Sequence, residues 1–330
     1  NRSMGFVVRL RFQNAALNNQ QVLPLEERVE PSFNNFLPFA LFRKRFENKA
    51  TFFTMYRTYA IQPTANQLSN ALDNTNPLQL STGNAELQQQ YGHWIMARYN
   101  AANTEKGAVF YAMLSGGFAQ NYIGQSTYTA LQNEIVNGVS LNRGVQLSNP
   151  VNLQGQYTVN GFTTYGFPLN KLKSNLNFNV SASANRIPSL INNVESFTFN
   201  RNAGLGVVLS SNISENLDFT VSTDGAFNQT ENSVSTLGTI NYWVQTSKLS
   251  YDWIMPKGFT FRTNLTHQSF YGLSESLDNN VLLWTAGIGK QVFKNKRGEI
   301  QVSMFDILGQ NNNVSQQFFD TYFEESNRNV

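Results

Sequence analysis

The chain has 330 residues, a formal net charge of +3 and no cysteine. Charged residues make up only 14% of it and aromatic residues 13%, whereas an average soluble domain carries about 25% charge. The composition excludes disulfides and thiolate metal sites. It also lacks the stripe of Lys and Arg that would neutralise nucleic-acid phosphates.

Mean hydropathy is negative, −0.35. No run approaches the roughly 18 apolar residues of a membrane-spanning helix. A membrane-spanning strand needs only about 9–11 residues, with every second one apolar. Low charge, many aromatics and negative hydropathy are compatible on that basis. The polar share is carried by Asn, Gln, Ser and Thr.

The alternating segments, in chain order, are 3–13, 34–45, 50–60, 86–101, 107–130, 144–167, 173–187, 196–213, 217–230, 238–254, 259–272, 280–293 and 298–307. In the first, Phe6, Val8, Leu10 and Phe12 alternate with Val7, Arg9 and Arg11. In Ser174–Asn185, Leu176, Phe178, Val180, Ala182 and Ala184 alternate with Asn175, Asn177, Asn179, Ser181 and Ser183. Successive strand side chains point to opposite faces, so each segment has one dry and one wet face. Several segments exceed the five or six residues usual in soluble sandwiches. The expected fold is all-β, a transmembrane antiparallel β-barrel of which these are about thirteen strands.

The connections alternate in length. Short ones fall at 46–49, 102–106, 169–172, 214–216, 256–258 and 294–297. Long ones fall at 14–33, 61–85, 131–143, 188–195, 231–237, 273–279 and after 307. Short periplasmic turns and long extracellular loops are the pattern of outer-membrane barrels. Lysines cluster at the short turns, while the long loops carry carboxylates such as Glu26, Glu30, Asp73 and Asp320.

Few residues point to chemistry. His93 and His267 are the two histidines, both inside strands and without metal-ligand spacing. No paired carboxylates, nucleophile elbow or nucleotide-binding glycine loop is present, so no catalytic residue, metal site, cofactor or enzymatic activity is expected. Gly204, Gly206, Gly287 and Gly289 lie in strands and are read as relieving crowding. Arg9, Arg11 and Arg262 share the polar register of their strands and are expected to face the lumen. An arginine on the lipid face at mid-depth costs about 2–4 kcal/mol. Tyr and Phe near the strand ends fit aromatic girdles.

Several segments resemble a known family. They are Tyr56-Arg57-Thr58, Pro63, the run Leu72–Asn84 (Leu-Asp-Asn-Thr-Asn-Pro-Leu-Gln-Leu-Ser-Thr-Gly-Asn), Pro150-Val151-Asn152 and Ser210–Ser214. Leu283-Trp284, Phe293-Lys294-Asn295, Phe305–Asn311, Val314-Ser315 and Asp320-Thr321-Tyr322 continue the series. Together they resemble Bacteroidota outer-membrane barrels of the TonB-dependent receptor type, including SusC-like relatives with a carboxypeptidase-like regulatory domain. The resemblance implies an outer-membrane transporter that imports a large solute, such as a siderophore, oligosaccharide or peptide. It implies outer-membrane lipid and lipopolysaccharide around the wall and TonB engaged through an N-terminal region. A SusD-like lipoprotein is a further possible partner. Such transporters have 22 strands around a plugged lumen, so residues 1–330 are read as one barrel domain that lacks the plug and the final strand. A passive porin, or a structural barrel of an envelope complex, is the alternative. Candidate solute contacts lie in 61–85 and 308–330, with Asp73, Asn76, Tyr322 and Phe323 named first.

Overall fold

The computed structural model describes residues 3–21, 26–211, 213–234, 238–272, 280–310, 312–318 and 323–329. Thirteen long strands form one antiparallel path. They are β1 (Met4–Ala16), β2 (Ser32–Arg45), β3 (Thr51–Ile61), β4 (Gln90–Asn103), β5 (Ala108–Gln120), β6 (Gln156–Leu169) and β7 (Ser174–Ile191). They continue as β8 (Val194–Ser211), β9 (Leu217–Asn232), β10 (Ile240–Ile254), β11 (Phe259–Tyr271), β12 (Asn280–Val292) and β13 (Gly298–Met304). Each pairs with the next along this path. Among the described residues no ladder joins β1 to β13, so the wall has two free edges.

The register aligns the alternating faces across the wall. One row runs Phe6, Phe42, Thr54, Ala97, Leu114, Gly161, Ala182, Ala203, Phe227, Trp243 and Tyr271. A row on the other face runs Met96, Ser115, Asn160, Ser183, Asn202 and Asn228. A slip of one residue in any strand would mix the two faces. On the apolar face, large side chains stand clear of other protein: Leu205 is 65% exposed, Leu114 59% and Ile288 62%. In water this surface would be an extended aggregation-prone patch. In a bilayer it is solvated by acyl chains, and between the two edge strands the backbone groups are paired with neighbouring strands.

Aromatic rows bracket the apolar face. Tyr91 and Tyr99, Phe110 and Phe118, and Tyr157 and Tyr165 each stand eight residues apart on successive strands. Eight residues extend about 27 Å along a strand. At the tilt usual in barrels that is about 20 Å of height, close to the roughly 25 Å apolar band of outer-membrane barrels.

At one end of the wall every described connection is short. Three of these turns place a lysine in the left-handed region: Lys49 (φ 64°), Lys173 (φ 44°) and Lys257 (φ 66°). At the other end the connections are long, with one correction. The expected loop 188–195 is absent, because β7 and β8 continue through it to Ile191 and from Val194. They are joined by Asn192 and Asn193 alone, both with positive φ, the backbone that two-residue hairpins require.

A second correction matters more for function. The expected strands 107–130 and 144–167 are each broken. Asn121 turns the chain with φ 50° and Gly155 with φ 90°. Between them, Tyr122–Thr129 and Gln146–Leu153 leave the wall and pair with each other. Gln79–Ser81 adds parallel to Gln146–Ser148, and Leu190 and Ile191 pair with Ser126 and Thr127. These strands form a small mixed sheet, the cap, at the long-loop end.

Candidate functional site

Two surfaces carry the functional geometry: the cap and the polar face of the wall. The cap holds the water-excluded core of the chain. Among the described residues, eight of the eleven buried apolar ones belong to connections 62–89 and 121–155 rather than to the wall, so the cap is a folded unit. Its centre is Leu80, Ala130, Leu141, Val145 and Leu147, with Tyr128, Val136 and Val139 packed against it. A hairpin of Glu134–Val136 and Val139–Leu141 turns through Asn137 (φ 50°) and Gly138 (φ 79°).

The two connections are tied by Asn152. Its amide donates to the carbonyls of Gln88 (2.9 Å) and Asn121 (3.0 Å), and its Oδ1 accepts from the Gln88 N–H (2.7 Å). Asn84 donates to the Pro150 carbonyl (3.1 Å). Within 62–89, a helical turn, Ala65–Leu68, starts from a reciprocal cap between Thr64 and Gln67 and buries Leu68. Tyr128 donates to Glu134 (3.1 Å), and this bond holds its phenol above the ordinary tyrosine range.

Asp73 and Asn76 lie in the same connection, both exposed. The Asp73 carboxylate accepts from the Thr75 N–H (3.0 Å) and hydroxyl (2.8 Å), which hold it below the ordinary aspartate range. Asn76 Oδ1 accepts from the Leu78 N–H (3.1 Å). Both side chains therefore build the turn that delivers Gln79–Ser81 to the cap sheet. Tyr322 lies outside the described residues. Phe323 opens the strand Phe323–Asn329, which pairs with Asn312–Phe318; its side chain is outside the described residues.

The register puts Arg9, Arg11 and Arg262 on the face opposite the apolar band. Arg262 is heavily bonded. Its Nε lies 3.3 Å from Asp252, and its Nη atoms donate to Gln301 (2.7 Å) and to both oxygens of Glu299. Thr260 also donates to Glu299 (2.8 Å). The network links β10, β11 and β13 across β12. It passes over Gly287 and Gly289, where a Cβ would collide with Gln301 and with Thr260 and Glu299. The charges are partly exposed, so the network is worth little as stability and more as a fixed polar feature of the wall. Around β6–β9 the same face is an amide lattice, with Asn200 donating to Asn185 (3.0 Å) and Asn202 to Asn228 (2.8 Å).

The histidines lie on the apolar face. His93 stacks on Phe118 at 4.6 Å, and its Nδ1 is 2.8 Å from the Tyr56 hydroxyl. His267 bonds to Asn280 on the neighbouring strand. They occupy β4 and β11, and no metal-binding group of three is found among the described residues. Arg186 and Arg201 also face outward, in the aromatic row at the long-loop end. Arg186 covers Tyr157 (5.2 Å) and Phe197 (4.9 Å), and Arg201 pairs with Glu231 at 3.1 Å. At that height an outward arginine costs about 0–1 kcal/mol.

An apolar belt between aromatic rows, a polar opposite face and one-sided long connections are the features of an outer-membrane wall. The sequence profile of the outer membrane protein β-barrel family matches residues 4–204. The chain belongs to that family. Comparison with curated proteins finds no match. The barrel is thereby placed in the outer membrane, where the apolar belt is the face suited to lipid. The cap was missed in sequence because its strands follow the wall segments directly, with no break in composition. Asn137-Gly138, a strong two-residue hairpin signal, and Pro150, disfavoured within a central strand, were the available clues.

Proposed function

We propose that this barrel is the wall and outer cap of a TonB-dependent transporter importing a large solute. The observation that carries the reading is the folded cap. Connections 62–89 and 121–155 do not merely close hairpins; they share a core and a mixed sheet at the long-loop end. A rigid surface there supports selective capture of a solute before passage. The resemblance of Leu72–Asn84 and Phe305–Asn311 to SusC-like receptors supports the same reading, with TonB, and a SusD-like lipoprotein as a possible partner. The wall, its inner face and the cap are this chain's contribution; energy coupling belongs to the plug and TonB.

The test is swelling of proteoliposomes carrying the full-length protein in isotonic arabinose. A plugged transporter gives no swelling above empty vesicles. Porin-like swelling would overturn the reading in favour of a passive pore.

A further inference from the structure

Three successive wall strands, β2, β3 and β4, repeat one spacing. Phe39 precedes Arg43, Phe53 precedes Arg57 and Trp94 precedes Arg98, each by four residues. An even spacing keeps both side chains on one face of a strand. Because neighbouring strands are antiparallel, the repeat interleaves. One row of direct partners reads Arg9, Phe39, Arg57, Trp94. Another, nearer the short turns, reads Arg43, Phe53, Arg98. Arg11 extends the lattice two residues above Arg9. All seven side chains of the two rows lie on the inward face.

The guanidinium of Arg9 lies 5.5 Å from the Phe39 ring centre and that of Arg98 lies 4.7 Å from Phe53. Stacking occupies the flat face of a guanidinium and leaves its N–H edge free. Arg9, Arg11, Arg43, Arg57 and Arg98 are all exposed. Among the described residues none of the five is within 4.0 Å of a carboxylate. Strands β1–β7 contain no Asp or Glu at all. The inward carboxylates Asp218, Asp224, Asp252 and Glu299 all lie on β9–β13. Arginines that merely solvate a wall would be scattered and paired as Arg262 is. These are clustered, without a carboxylate partner among the described residues, and two of them, Arg9 and Arg98, stand over rings.

We infer that the inner face of β1–β4 is a binding track for an anionic solute with a flat ring. The phosphate, sulfate or carboxylate groups meet the guanidinium edges, and the ring lies over Phe39, Phe53 or Trp94. The role as a transport track rests on the transporter reading; the binding itself does not.

The four tryptophans supply a readout. Trp94 is on the inner face, whereas Trp243, Trp253 and Trp284 are on the lipid face. Full-length protein in nanodiscs is titrated with a pyrene trisulfonate. Binding should quench tryptophan emission and weaken as salt rises, and Trp94→Phe should remove the part of the quench that arises at the track. The triple variant Arg9→Gln, Arg57→Gln, Arg98→Gln should bind at least tenfold more weakly, with Arg201→Gln unchanged. Heat-modifiable gel mobility verifies folding; if the triple variant fails to assemble, Arg57→Gln alone should still weaken binding. Absence of binding to the wild type, or equal binding by the arginine variants, would overturn the proposal. Binding at the track together with porin-like swelling would leave the track standing and remove only the transporter reading.

Discussion

Leu205→Arg should destabilise the protein by about 2–4 kcal/mol in a bilayer, the cost of an arginine near the midplane of a lipid-facing surface. Leu205 stands on the apolar face of β8, opposite Val180 on one side and Gly225 on the other. It is 65% exposed to whatever surrounds the wall. A new guanidinium there has no carboxylate in its row and is far from the headgroups that receive Arg186 and Arg201. Ser181→Arg provides the contrast. Ser181 is one residue from Val180 in sequence and faces inward, opposite Gly204, so its change should stay within about 0.5 kcal/mol. Urea titration of the full-length protein folded into bilayers measures both. Equal costs at the two positions would mean that the faces are not solvated differently.

Leu147→Ala should loosen the cap and leave the wall intact. Leu147 is 2% exposed and sits at the centre of the cap core beside Leu141, Val145 and Leu80. Truncating a buried leucine costs about 2–5 kcal/mol. In a core of so few residues that is a large fraction of the local stability. Amide exchange across Tyr122–Thr129 and Gln146–Leu153 should accelerate by at least about thirtyfold, with β7 to β9 unchanged. Leu131→Ala removes a side chain that is 74% exposed and should have no such effect. Exchange that rises equally in the wall would show that cap and wall form one cooperative unit.

The wall was legible in sequence because of its physics. A strand with lipid on one side and water on the other must alternate, and Ser174–Asn185 alternates without a break. The thirteen-strand path follows that signal from Phe6 to Met304. The cap was not legible. Tyr122–Thr129 and Gln146–Leu153 follow the wall segments without a break in composition, so they read as continuations of their neighbours, and Asn121 and Gly155 mark the departures. The parallel pairing of Gln79–Ser81 with Gln146–Ser148 joins segments far apart in sequence, which no local pattern announces.

The candidate site was half legible. Arg9, Arg11 and Arg262 were expected on the lumen face from register alone, and the ladders place all three opposite the apolar face. Their different circumstances were not readable. Arg262 is bonded across β12 because two glycines clear the way, whereas Arg9 lies over Phe39 because antiparallel pairing interleaves a four-residue repeat. Asp73 and Asn76 looked like loop residues free to meet a solute. One carboxylate oxygen of Asp73 and the amide oxygen of Asn76 also shape the turn they occupy.

The central claim is that one face of this wall meets lipid and the other meets water. The chain has no cysteine of its own, so single cysteines can be introduced along β7, with any cysteine elsewhere in the full-length protein replaced by serine. Fluorophores at Phe178, Val180, Ala182 and Ala184 in proteoliposomes should be quenched by brominated acyl chains. Those at Asn179, Ser181 and Ser183 should respond to an aqueous quencher. The account predicts this two-residue alternation through the whole run. Quenching that is uniform along β7, or aqueous access from both faces, would contradict it.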